Sequence, residues 1–120
     1  MIGLSGVEYV DKVSQSLAKQ EGEVAIRGEV DRVYGNVQAE DIQIHYGAQQ
    51  QDIGEGVQVR INGLRDIVVW NPWTEKAAGM ADFGDEEYHR MICVEAGQVA
   101  EFKALAAGGS WEGSQVLSLL

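Results

Sequence analysis

The chain has 120 residues, 45% of them apolar, which suits one domain with a modest core. Nineteen acidic residues against nine basic ones give a net charge of −10, so neither a nucleic-acid backbone nor an anionic membrane is an expected partner. No apolar run approaches the roughly 20 residues of a membrane span, no basic-then-apolar leader opens the chain, and the lone Cys93 can form no intrachain disulfide, so the expected location is the reducing cytoplasm.

Residues 9–17 carry no firm period and read as loop or strand rather than helix. Residues 23–30 alternate polar and apolar side chains, which predicts a strand with Asp31 just beyond its end. Residues 41–46 and 57–61 alternate in the same way, the pattern of half-buried antiparallel strands. Residues 65–70 and 90–95 are more continuously apolar and are predicted nearer the middle of a sheet. Between them, residues 74–78 form the one clearly helical segment, ended by Gly79. Two last strands are predicted over 99–104 and 114–119. Fifteen glycines and a single proline, with Gly47, Gly54, Gly56, Gly63 and Gly97 between the runs, fit many tight turns. The prediction is one all-β domain over residues 1–120, an antiparallel β-sandwich with one short helix.

Several chemistries lack their motif. There is no glycine-rich phosphate loop and no dinucleotide fingerprint. His45 and His89 share no ligand spacing with Cys93, so no metal is expected. No serine sits in a nucleophile elbow. Polar residues on predicted strands remain. Met91, Cys93 and Glu95 are two apart and would share a face. There the Glu95 carboxylate would be partly desolvated and suited to proton transfer. The opposing expectation places Glu95 at a strand end, facing water. Trp70 and Trp73 flank Asn71 and Pro72, and would serve as a wall for a sugar ring or as core. Arg27, Arg32, Arg60 and Arg65 would either form a cationic pocket for a phosphorylated ligand or remain solvated surface charges.

Six blocks, taken in order, carry a family resemblance. They are Gly3-Leu4-Ser5-Gly6-Val7 with Tyr9-Val10-Asp11-Lys12, then Gly28-Glu29-Val30-Asp31-Arg32-Val33-Tyr34, then Val69-Trp70-Asn71-Pro72-Trp73. Met80-Ala81-Asp82-Phe83, Cys93-Val94-Glu95-Ala96 and Trp111-Glu112-Gly113-Ser114-Gln115 complete the set. Together they resemble the second half of the hexose-6-phosphate mutarotases, or glucose-6-phosphate 1-epimerases, of the aldose 1-epimerase type. The resemblance implies half of a galactose mutarotase-like β-supersandwich, without the N-terminal half. It also implies a cofactor-free exchange of sugar anomers, in which a glutamate takes the C1 hydroxyl proton and a histidine protonates the ring oxygen. Glu95 matches the glutamate, and Asp31 matches an aspartate that holds sugar hydroxyls. Arg32, Trp70 and Asn71 lie in matched blocks and complete the expected substrate-binding set. The family's acid histidine lies upstream of the segment matching Gly3, and neither His45 nor His89 aligns with it. The expectation is a mutarotase-like protein that binds a hexose or hexose phosphate, with at most weak anomer interconversion. The alternative is a non-catalytic scaffold or assembly protein that keeps only the fold. Uncovered sheet surface and strand edges predict a homo-oligomer, most simply a two-fold dimer.

Overall fold

The alternating segments at 41–46 and 57–61 form neighbouring strands, and the apolar segment at 65–70 lies in the middle of a second sheet. The computed structural model describes residues 1–47 and 54–120. Its strands are β1 (Glu8–Asp11), β2 (Ser16–Lys19), β3 (Val30–Tyr34), β4 (Asp41–His45), β5 (Gly56–Asn62), β6 (Asp66–Asn71), β7 (Cys93–Gly97) and β8 (Ser114–Leu119). One helix, α1 (Trp73–Gly79), and a 3-10 turn at Glu87–Arg90 lie between β6 and β7. A five-stranded sheet has the order β2-β1-β3-β6-β7 and a three-stranded sheet the order β4-β5-β8. Every pairing is antiparallel. The chain is all-β and antiparallel, as its strand pattern predicted, and forms a half-sandwich, as the resemblance implied.

The core lies between the two sheets. Val30, Tyr34, Ile67 and Val69 from the larger sheet meet Ile42, Val59 and Ile61 from the smaller one, with Leu4, Val24 and Val37 filling the rim. Fully burying side chains of this size contributes about 1.5–3 kcal/mol each. Tyr34 is completely buried, and its hydroxyl donates to Gln20 Oε1 at 2.8 Å, so its one polar atom is satisfied.

Residues 9–17, read as loop or strand, form most of the β1–β2 hairpin, whereas three other predicted elements differ. The Asp11 carboxylate accepts from the amides of Val13 and Ser14, both at 3.0 Å, and so closes the hairpin turn. The strand predicted over 23–30 does not form. Val24 and Ile26 do turn inward, which accounts for the alternation, but Val24 bonds only to Met1 and no ladder develops. The strand begins at Val30, which puts Asp31 inside it. The segment 90–95 enters strand only at Cys93, because Arg90 still belongs to the 3-10 turn. Residues 99–104 are irregular: the Asp66 carboxylate, rather than a partner strand, takes the amides of Val99 and Ala100.

The molecule is more open than its length requires. Its radius of gyration is 15.6 Å, against about 13–14 Å for a compact chain of this size. Its accessible surface is 8150 Å², against about 6,400 Å² for a monomer of this mass. Every residue from 99 to 120 is exposed, β8 included.

Candidate functional site

Register across β3, β6 and β7 brings the candidate residues together. Asp31 lies opposite Trp70, and Trp70 opposite Cys93. One row further, Val33 lies opposite Val68, and Val68 opposite Glu95. Opposed residues share a face and alternate residues return to it. Tyr34, Ile67 and Val69 occupy the core face, so Asp31, Trp70, Cys93 and Glu95 all belong to the opposite, open face. With strands about 4.8 Å apart, β3 and β7 are separated by about 10 Å. A sugar ring with its hydroxyls can bridge that gap.

The residues on this face sit in different surroundings. The Asp31 carboxylate is half-buried and lies 3.5 Å from Lys12 Nζ. Trp70 is half-buried. Glu95 is exposed and so faces water, but it stands at the centre of β7 rather than at a strand end. Met91 lies before β7 begins, and its carbonyl and sulfur face the Asn71 amide. Cys93 is half-buried; burial pushes its thiol above the ordinary value, and the neighbouring Glu95 charge adds to the effect.

Arg32 and Asn71 alternate with Asp31 and Trp70 and so project from the core face. Arg32 Nε donates to Asp11 Oδ2 at 3.2 Å, and the guanidinium lies 4.6 Å over the Tyr9 ring. Burial opposes the charge of Asp11, but the amides of Ser14 and Val13 and the Arg32 guanidinium outweigh it. The Asp11 carboxyl therefore lies below its ordinary value. Asn71 is buried, and its amide nitrogen donates to the carbonyls of Tyr88 and Met91, each at 2.9 Å. Its Oδ1 accepts the Trp73 amide at 2.9 Å. That bond helps hold Trp73 at φ +56°, an uncommon conformation for a bulky residue. The Trp73 ring packs on Tyr88, with centroids 5.1 Å apart, and meets His89 edge-on. The expected wall of two tryptophans is thus divided, with Trp70 on the sheet face and Trp73 packed against Tyr88.

The four arginines do not converge on one pocket. Arg32 and Arg60 lie in different sheets, each paired with an aspartate. Arg27 and Arg65 are exposed. His45 lies in β4 beside Gln43, while His89 lies in the 3-10 turn, 3.3 Å from Glu86. Among the described residues no cluster of three or more His, Cys, Asp or Glu side chains is placed to hold a metal, and no helix is long and apolar enough to cross a membrane.

Asp66 was not among the candidates drawn from the sequence. It is buried at the start of β6 and accepts the amides of Asn36, Val99 and Ala100. It thereby ties the segment after β7 alongside the sheet. An open groove of about 980 Å³ runs there, lined in part by Val10, Leu17, Val33, Phe102, Lys103 and Trp111. Val33 belongs to the same row as Glu95, so groove and carboxylate share one face of the sheet. Two aromatic residues in a glycine- and alanine-rich stretch were the only sequence signal for it.

Comparison with known proteins gives two findings. The family model described as aldose 1-epimerase matches residues 3–118. The chain is also 36% identical, over 118 residues, to a protein of Cenchrus ciliaris named "Putative glucose-6-phosphate 1-epimerase". That match takes in 97% of this chain but 34% of the relative, so the chain spans about a third of the relative's length.

Proposed function

Because the chain belongs to the aldose 1-epimerase family, we propose that it binds a hexose or hexose 6-phosphate on the open face of the five-stranded sheet and exchanges its anomers only weakly. The observation that carries this reading is the register: Asp31, Trp70 and Glu95, on three adjacent strands, fall on one face within reach of a single sugar. In this proposal Trp70 stacks on the ring. Asp31 accepts bonds from ring hydroxyls, since a carboxylate has several acceptor sites, and Lys12 Nζ lies 3.5 Å from it. Glu95 takes the C1 hydroxyl proton. Arg32 and Asn71 act from behind the sheet, fixing β3 and the β6–α1 turn.

The rate is expected to be low for two physical reasons. Glu95 is exposed, so water competes with the substrate hydroxyl for its carboxylate oxygens and must be displaced before it can take a proton. Among the described residues neither histidine is placed to protonate the ring oxygen, with His45 in the other sheet and His89 beside Glu86 and Tyr88. One missing partner in acid–base catalysis costs about 10²–10⁴-fold. The exposed setting of Glu95 also favours the second reading, a scaffold that retains the face without turnover. We further propose that the chain associates with a second copy, as its excess surface suggests.

Magnetisation-transfer NMR on glucose 6-phosphate tests the first reading. A modest acceleration of anomer exchange that vanishes in Glu95→Gln is the expected result. Tryptophan fluorescence, titrated with hexoses and their phosphates, should respond in the wild type and lose its response in Trp70→Phe. Silence in both experiments would leave the scaffold reading.

A further inference from the structure

Antiparallel sheets with open edges must guard them, because unpaired backbone groups recruit any available strand. Four edges exist among the described residues, and three carry a guard. The β4 edge is capped by Ile2, which exchanges bonds with Gln43 at 2.8 and 3.1 Å. The β2 edge carries Lys19, and the β7 edge carries Glu95. The β8 edge carries no comparable guard among the described residues: its sequence, Ser-Gln-Val-Leu-Ser-Leu, has no charge and no proline. We infer that β8 is the surface through which two copies of this chain pair, edge to edge and antiparallel about a two-fold axis at Leu117. This inference deepens the self-association proposed above and is independent of the sugar chemistry.

Charge selects the occupant. Two copies each carrying −10 repel everywhere except where charge is sparse. Residues 104–120 contain one charged side chain, Glu112. A second copy can therefore approach this stretch without bringing many like charges together.

Area agrees. The chain exposes about 1,700 Å² more than a monomer of its mass is expected to. A standard interface takes about 800 Å² and 20–30 residues from each partner. A six-residue strand is too small alone, but the whole stretch from 99 to 120 is exposed and continuous with it.

Register follows from the backbone. Leu120 N donates to Gly56 O at 3.0 Å, so the even-numbered residues of β8 direct their backbone groups toward β5. The N–H and C=O of Gln115, Leu117 and Leu119 then point outward. A two-fold axis normal to the sheet must pair residues of like parity, to keep each side chain on its own face. Leu117 would then meet Leu117 of the second copy, and Gln115 would meet Leu119, each as a mutually bonded pair. Leu117 and Leu119, now 63% and 78% exposed on the side that carries Ile42 and Val59, would gather into one apolar cluster.

Sedimentation equilibrium of the full chain, paired with two kinds of variant, tests this. The wild type is expected to be a dimer at tens of micromolar. Leu117→Pro removes only an outward N–H, and Leu117→Lys charges the edge. Each should raise the dissociation constant at least tenfold, with circular dichroism confirming the fold. In a Cys93→Ser background, Leu117→Cys should form an intermolecular disulfide on mild oxidation, because a bonded antiparallel pair holds its Cα atoms about 5.5 Å apart. Lys12→Cys should not. A wild type that stays monomeric at 100 µM overturns both the self-association and its location. A dimer that ignores both Leu117 substitutions and fails to cross-link overturns the location alone.

Discussion

Cys93 and Glu95 are two residues apart on one strand and one face, so each reports on the other. Burial raises the Cys93 thiol first, and the Glu95 carboxylate raises it further, because a second negative charge beside a thiolate is unfavourable. Only the thiolate reacts with alkylating agents. Alkylation of the wild type should therefore be slow at pH 8 and gain speed only at more alkaline pH. Glu95→Gln removes the repelling charge and leaves the burial. The midpoint of the iodoacetamide rate profile should move to lower pH in this variant and stay above that of a free thiol. An unmoved midpoint would mean that the two side chains do not share the open face. The assay reads the geometry of the candidate site without any sugar present.

At the scale of elements, Gly63 holds the corner on which β8 depends. It follows β5 at φ +70°, and a Cβ there would lie 2.5 Å from the Glu112 carbonyl oxygen. Alanine would carry both the cost of a left-handed conformation, about 1–2 kcal/mol, and a steric overlap with the segment entering β8. Gly63→Ala should lower stability by about 2–3 kcal/mol in urea titration. It should also speed amide exchange in β8 more than in β3 or β6. The same corner shows how far sequence pattern reaches. Residues 41–46 and 57–61 became β4 and β5 because their alternation coincides with a partner strand on each ladder. The identical alternation over 23–30 records only that Val24 and Ile26 turn inward, while their backbone has Met1 alone to bond. Period two fixes the facing of side chains and says nothing of where the neighbouring strand lies. For that reason Asp31 was expected beyond a strand end and stands inside β3. The Asp66 latch was equally illegible, since the amides it binds lie 30 or more residues away in sequence. Glu95 and Trp70 were found as candidates from their strand pattern and then from their blocks, but their shared face depends on a register that no single strand contains.

Over the whole molecule, net charge and exposed apolar surface act in opposite directions on association. Two bodies of charge −10 with centres about 31 Å apart, the shortest dimension of the chain, would repel by about 13 kcal/mol in salt-free water. That exceeds what an apolar strand edge can return. Screening decides the outcome: the Debye length is about 30 Å at 0.01 M salt but about 8–10 Å at 0.1–0.15 M. About a third of the repulsion therefore persists in the first condition and only a few per cent in the second. An uncharged contact built on Leu117 and Leu119 has no ion pairs for salt to weaken, and its hydrophobic part is indifferent to ionic strength over this range. The dissociation constant should thus fall at least tenfold as sodium chloride rises from 0.01 to 0.2 M, measured by sedimentation at constant pH. An interface held by ion pairs, such as one through the Arg60–Asp41 surface, would loosen over the same titration. The slope of affinity against salt accordingly distinguishes an apolar, charge-free seam from any contact that uses the chain's abundant carboxylates.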